Sequence, residues 1–167
     1  MLSKEKDLIK RGGKLYFYHF TDSRNLPSIR RRGLMSWKRL LFNGIDHWPA
    51  SSQQSRYLDE RDGLGNYVRL CKQPDHPMAY VARKEGRIKD FVWLQIDGEV
   101  AKWRATKFSN DNAVGNHAMI SYDPDTALKS LSIQAEILVE GGINVRWIKF
   151  PGEWDEDSAD FDLDLYF

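Results

Sequence analysis

Ile133-Gln134-Ala135-Glu136-Ile137-Leu138-Val139 is the stretch on which the reading of the fold turns. Its apolar run predicts a strand, with Gln134 and Glu136 on one face and Ala135 and Ile137 on the other. A carboxylate there must be paired, solvated in a cleft or protonated, because an unpaired buried charge is costly. An edge-strand glutamate facing water satisfies the same pattern. Residues 143–150 form a second strand-like run beyond Gly141-Gly142, and the two read as a hairpin.

Working outward, Lys14-Leu15-Tyr16-Phe17-Tyr18-His19-Phe20 is dense in aromatics and predicts a first strand, after a helix or loose lead-in over residues 1–13. A short helix follows, with Leu26 and Ile29 on its apolar side, Arg30-Arg31-Arg32 on the other and Gly33 as its stop. Residues 35–66 show no sustained period and read as a long irregular segment, functional or mobile rather than filler. Strands are expected at Tyr67–Cys71, Asp90–Asp97 and Arg104–Phe108, and a helix from Met78 to Glu85 with Gly86 as its stop. The order predicts an α+β domain.

The 167 residues suit one domain with a real core, and 41% hydrophobic content is too rich for a disordered chain. No apolar run approaches a membrane span, and the charged Met1–Asp7 segment lacks the apolar stretch of a secretory signal. A single Cys71 allows no internal disulfide and no cysteine cluster for zinc. The expectation is a cytoplasmic protein with no membrane partner.

The net charge of +1 is an average over two unlike regions. Residues 1–150 carry all 25 basic residues and 17 of the 24 acids, a net of +8, whereas residues 153–167 hold seven acids and no base. The chain therefore divides into a body, residues 1–150, and an acidic tail, residues 151–167. A basic body suits a polyanionic partner, and unevenly scattered surface charge on an enzyme would look the same. Trp37 and Trp48 interleave with Arg24, Arg30, Arg31, Arg32, Lys38 and Arg39, a pattern that offers base-stacking surfaces among phosphate contacts and equally describes a solvated helix face.

Phosphate loops, dinucleotide fingerprints, His-Glu-x-x-His and the Gly-x-Ser-x-Gly elbow are all missing from the sequence, and the four histidines are widely spaced. No metal is expected. What remains is dispersed: His19 at the end of the first strand, Arg56 and Arg61 in the irregular segment, and Glu136.

Four blocks in order carry a resemblance. Tyr18-His19-Phe20-Thr21-Asp22 with Asn25-Leu26-Pro27-Ser28-Ile29 and Gly33-Leu34 resembles the opening of the DarT family of DNA ADP-ribosyltransferases. Tyr67-Val68-Arg69-Leu70 with His76-Pro77-Met78-Ala79-Tyr80-Val81, then Phe108-Ser109-Asn110-Asp111-Asn112-Ala113, and finally Gln134-Ala135-Glu136-Ile137-Leu138-Val139 resemble its later blocks. The likeness spans about residues 15–150; the arginine region matches poorly and the acidic tail lies beyond it.

The resemblance implies an ADP-ribosyltransferase-like fold, two packed β-sheets with flanking helices around a cleft for NAD+. It also implies transfer of ADP-ribose from NAD+ to a base of single-stranded DNA, by a toxin or phage-defence effector opposed by an antitoxin. Glu136 would stabilise the positive charge that develops on the ribose, and Gln134 would orient the acceptor base. His19 would hold the adenosine-side ribose or neighbouring groups of NAD+, with Thr21, Asn25, Tyr67, Tyr80 and Asn112 as further cofactor-side residues. Arg56 matches loosely the arginine near the acceptor base. Guanidinium is a poor general base, so stabilising a deprotonated base or binding a phosphate is its expected part, which Arg61 would share. Arg30, Arg31, Arg32, Lys38, Arg39, Trp37 and Arg61 would bind the nucleic acid. RNA as acceptor, or an inactive nucleic-acid- or partner-binding module on the same fold, are the competing readings, and the tail would cover the basic groove or dock the antitoxin.

Overall fold

In the computed structural model, which describes residues 14–155, the aromatic run becomes β1 (Tyr16–Asp22). It pairs along its whole length with β4 (Phe91–Asp97), from Tyr16 opposite Asp97 to Asp22 opposite Phe91. A one-turn 3-10 helix (Ser23–Asn25) then leads into α1 (Leu26–Arg32), which has Pro27 in its first turn. Asp22 caps that turn. It accepts from the backbone N–H and guanidinium of Arg24 and from the backbone N–H of Lys89, and Arg24 holds its carboxyl well below the usual carboxylate range.

Two short helices, α2 (Trp37–Phe42) and α3 (Gln53–Arg61), follow the short strand β2 (Leu34–Met35). The long irregular segment expected at 35–66 is thus partly helical. Each helix starts on a serine hydroxyl: Ser36 accepts the Arg39 N–H and Ser52 the Ser55 N–H.

The rest of the chain supplies β3 (Tyr67–Cys71), α4 (Pro77–Lys84), a second 3-10 helix (Gly98–Lys102), β5 (Lys107–Ser109), β6 (Ile120–Ser121) and α5 (Asp125–Leu128). β7 (Glu136–Glu140), β8 (Gly142–Ile143), a third 3-10 helix (Val145–Trp147) and β9 (Ile148–Lys149) complete the described elements. Seven strands form one antiparallel sheet in the order β6-β5-β7-β3-β1-β4-β9, and β2 pairs with β8 in a two-stranded ribbon. The mixed α/β architecture agrees with the expectation, its two sheets being of very unequal size.

Two sequence expectations fail here, for tertiary reasons. The strand placed at 133–139 begins only at Glu136, because Ser132 holds the preceding residues in a turn: its hydroxyl accepts the Gln134 N–H and its carbonyl the Ala135 N–H. The hairpin across Gly141-Gly142 does not form. Both edges of β7 are already taken, by β3 and β5, so the chain beyond Gly141 crosses to pair with β2 and then β4.

The main sheet has a built-in division. β1 meets β3 through a single residue pair, Tyr18 opposite Cys71, while β3 and β7 pair over five residues on the other side. Val68 and Leu70 of β3 and Ile137 and Val139 of β7 join Phe17, Leu94, Ile96 and Phe108 in the main core. The alternation sends Tyr67 and Arg69 of β3, and Glu136 and Leu138 of β7, to the opposite face.

Gly33 connects α1 to the ribbon with φ +75°, and a Cβ there would run into the carbonyl of Ile143. Gly44 also has positive φ (+62°) but open space around it. Gly33→Ala should therefore lower unfolding stability by about 2 kcal/mol or more and Gly44→Ala by about 1 kcal/mol, a difference that urea denaturation of the two variants measures.

Candidate active site

The face opposite the core carries a charged group that the fold itself must compensate. Glu136 opens β7 between Cys71 of β3 and Ser109 of β5, and is only 6% exposed. It is an interior-strand residue, so the edge-strand reading is excluded. Its Oε2 accepts the backbone N–H of Ala113 at 2.8 Å and pairs with Nη1 of Arg69 at 3.5 Å. Burial raises its carboxyl above the ordinary value, opposed by Arg69 and the Ala113 N–H.

Arg69 projects from β3 into the same face. Its Nη2 donates to Asp59 of α3, and its Nη1 also reaches the Asn112 side-chain oxygen at 3.5 Å. Asp59 is itself buried, and burial lifts its carboxyl against the pull of Arg69. Two carboxylates thus share one guanidinium, and the group as a whole can carry a net negative charge toward the cleft that Asp59, Arg69 and Glu136 line.

On the other wall, His19 sits just past the Tyr18–Cys71 junction and bonds the Arg69 carbonyl through Nδ1 at 2.9 Å. A carbonyl only accepts, so Nδ1 carries the hydrogen and Nε2 of the neutral ring is an acceptor. Burial lowers the His19 pKa and favours that neutral form. His76 caps α4 in the opposite sense: its Nδ1 accepts the Met78 N–H, which puts the proton on Nε2.

Asn25 fixes the mouth of the cleft. Its amide donates to Thr21 Oγ1 (3.0 Å) and to the Trp48 carbonyl (2.8 Å), and its oxygen accepts the Trp48 N–H (2.9 Å). These bonds hold Trp48, beneath the guanidinium of Arg24 at 4.8 Å, at the rim.

Of the residues singled out from sequence, His19, Thr21, Asn25, Tyr67, Asn112, Glu136, Arg32 and Trp37 line this cleft together. Trp37 is half-buried against Gly65 rather than presented on the surface. Gln134 stays in the turn before β7, outside the lining. Arg56 lies on α3 beside the lining residues Ser52, Ser55 and Asp59 but does not line the cleft itself. Tyr80 is 54% exposed and packs edge-on against Phe91. Arg30, Lys38 and Arg61 are surface groups in ion pairs with Glu153, Glu60 and Asp62; Arg31 and Arg39 are exposed. Sequence reasoning missed Arg69, Asp59 and His76 as site residues.

Residues 18–140 match the family model described as ssDNA thymidine ADP-ribosyltransferase, DarT. The chain belongs to the DarT family. The reaction of DarT is NAD+-dependent ADP-ribosyl transfer. The fold agrees with solved DarT structures. Thermosipho africanus DarTG in complex with ADP-ribose superposes with a TM-score of 0.68 at 20% identity, over 81% of this chain and 43% of that one. Thermus sp. 2.9 DarT gives 0.60 at 17% identity in complex with ADP-ribosylated ssDNA, over 80% of this chain and 78% of that one. The same protein in complex with NAD+ gives 0.52 at 19% identity, over 80% and 79%. This chain thus spans less than half the length of the Thermosipho protein. A comparison with curated protein sequences gave no match. Among the described residues no cluster of three or more His, Cys, Asp or Glu could hold a metal ion, and no helix is long and apolar enough to cross a membrane.

The Asn25 clamp gives a test of the DarT cleft's architecture. Asn25→Ala removes all three bonds to Thr21 and Trp48 and should cost about 1–3 kcal/mol of stability. Limited proteolysis should then cut the 43–52 connection faster than in the parent, at a protein concentration and temperature where both remain folded.

Proposed function

We infer that this DarT-family chain transfers ADP-ribose from NAD+ to a base of single-stranded DNA. The observation that carries the reading is Glu136, a buried carboxylate whose Oε2 is fixed by Ala113 and Arg69. Its Oε1, with no protein hydrogen bond among the described residues, is left for a ribose hydroxyl.

The cleft fits a dinucleotide. His19 Nε2 accepts from a hydroxyl, Arg32 offers a guanidinium to a phosphate, and Tyr67 and Trp48 supply flat walls for a heterocycle. NAD+ supplies an activated ribose whose leaving group departs as neutral nicotinamide, taking the bonding electron pair. Glu136 stabilises the positive charge that this departure places on the ribose, and the shared guanidinium keeps its carboxylate aimed. The acceptor nitrogen forms the new bond to the ribose carbon and gives up its proton to solvent water.

For the acceptor strand, Arg56 and Arg61 flank Tyr57 on α3, a tyrosine 69% exposed, and Trp48 and Arg32 continue the surface into the cleft. Interleaved cations and aromatics suit sequence-tolerant binding of a single strand. A toxin or phage-defence role with an antitoxin partner accords with the family.

Residues 151–167 are proposed as a separate acidic tail anchored by its first residues. Glu153 pairs with Arg30 at 3.2 Å, the Trp154 ring lies tilted against that of Tyr18 at 5.3 Å, and Asp155 exchanges two hydrogen bonds with the Gln95 amide. Residues 156–167 lie outside the described part of the chain. The proposed role of the tail is to compete with nucleic acid for the basic body.

Purified protein incubated with labelled NAD+ and separate pools of single-stranded DNA and RNA should label the DNA. Glu136→Gln should lower the rate on the order of 100-fold or more while retaining NAD+ binding. Label on RNA alone would move the acceptor, and nicotinamide release with no labelled polymer would remove the nucleic-acid reading. Tight DNA binding with no turnover would identify a binding module. Deleting residues 156–167 should strengthen single-strand binding at low salt and have little effect at high salt; unchanged affinity at low salt would refute the competing tail.

A further inference from the structure

The Asp59–Arg69–Glu136 group contains more than the reaction strictly requires. One carboxylate stabilises a developing cation, and a backbone N–H already fixes it. The chain nevertheless buries a second carboxylate and places a guanidinium between the two, drawing them from three elements, α3, β3 and β7.

The hydrogen-bonding pattern divides the guanidinium. Nη2 is committed to Asp59, and Nη1 faces Glu136 Oε2 and Asn112. A full bidentate pair with Glu136 would engage both carboxylate oxygens and neutralise the group the ribose needs. Asp59 prevents this by holding the other half of the fork.

We propose that Arg69 is a positioning residue, set by Asp59, that grips only Oε2 of Glu136 and so presents Oε1 to the ribose with its charge incompletely neutralised. The assignment rests on the transferase reading of the cleft. It also gives α3 a function beyond its surface: through Asp59 the helix determines how strongly the catalytic carboxylate is neutralised.

The ionisation of Glu136 should report this arrangement. The groups facing it are Arg69 and Cys71 from β3, Asp59 from α3, Asp111 and the Ala113 N–H from the loop after β5. His76 lies near Arg69 and Asp111 at the start of α4. Removing the cation in Arg69→Gln takes away stabilisation of the carboxylate, so its pKa rises. Removing the anion in Asp59→Asn takes away a repelling charge and frees Arg69 to pair fully with Glu136, so its pKa falls. Arg69→Lys keeps a charge near the carboxylate but cannot span both partners.

The test combines two readouts on the full chain. A carboxyl-carbon NMR titration, with the Glu136 signal assigned by its loss in Glu136→Gln, should move up by about one pH unit or more in Arg69→Gln and down in Asp59→Asn. The acidic limb of kcat for ADP-ribosyl transfer to single-stranded DNA should move in the same two opposite directions. Arg69→Lys should lower kcat tenfold or more, with little change in the KM for NAD+ and an acidic limb near that of the parent. Shifts of the same sign in Arg69→Gln and Asp59→Asn, or no shift in either, would overturn the assignment. So would a wild-type rate in Arg69→Lys. Should Arg69→Gln fail to fold, Asp59→Asn and Arg69→Lys decide the matter. A parent protein that transfers to no polymer defeats the transferase reading instead, and the titration still shows whether the two groups govern Glu136.

Discussion

A carboxylate placed in the middle of a seven-stranded sheet imposes its own terms on the surroundings. Glu136 has paired strands on both sides, so water reaches it only from the cleft. Desolvating such a charge without compensation costs several kcal/mol, and the Ala113 N–H and Arg69 supply that compensation. The demand propagates. Arg69 must leave β3 on the face away from the core, the loop after β5 must turn back to present Ala113, and α3 must lie close enough for Asp59 to take the rest of the guanidinium. The position of the 35–66 segment over the sheet is tied to the electrostatics of one strand residue.

The opposing wall solves a different problem. Below the Tyr18–Cys71 pair the ladder between β1 and β3 stops, and the link between the two strands passes to the bond from His19 Nδ1–H to the Arg69 carbonyl. One bond therefore satisfies the sheet and fixes the imidazole tautomer. Asn25 does comparable double duty a turn later, joining the end of β1 to the loop that carries Trp48. The side chains that satisfy the backbone here also line the cleft, because the cleft is a place where regular pairing has been given up.

Much of this was legible from the sequence where a pattern and a stop signal coincided. β1, β3, β4 and α4 lie within a residue or two of their expected bounds, since alternation or helical spacing ran up to Gly86 or the Gln73–Pro77 turn. Glu136 stood out because a charge in an apolar run needs a reason. The same argument applied to Arg69 within Tyr67-Val68-Arg69-Leu70-Cys71 would have found the missing guanidinium. Asp59 gave no such signal: it belongs to a short helix with a polar sequence, and its partner Arg69 lies on the next element, β3, whose orientation toward α3 no local pattern reveals. The Gly141-Gly142 hairpin misled for a related reason, since a local turn signal says nothing about whether the strand before it has free edges. α2 and α3 depend on single serine caps, too slight a mark in a segment without period.

The lone pairing at Tyr18–Cys71 has a mechanical consequence. Each half of the sheet is stiff, laced by ladders of five to seven residue pairs in β3–β7 and β1–β4, while the seam between them is crossed by one pair and one imidazole. Such a body is compliant along a single line, and that line runs beside Glu136. Small changes in the angle between the halves would alter the width of the cleft without breaking any ladder, so the cleft has room to adapt at a joint rather than by melting an element.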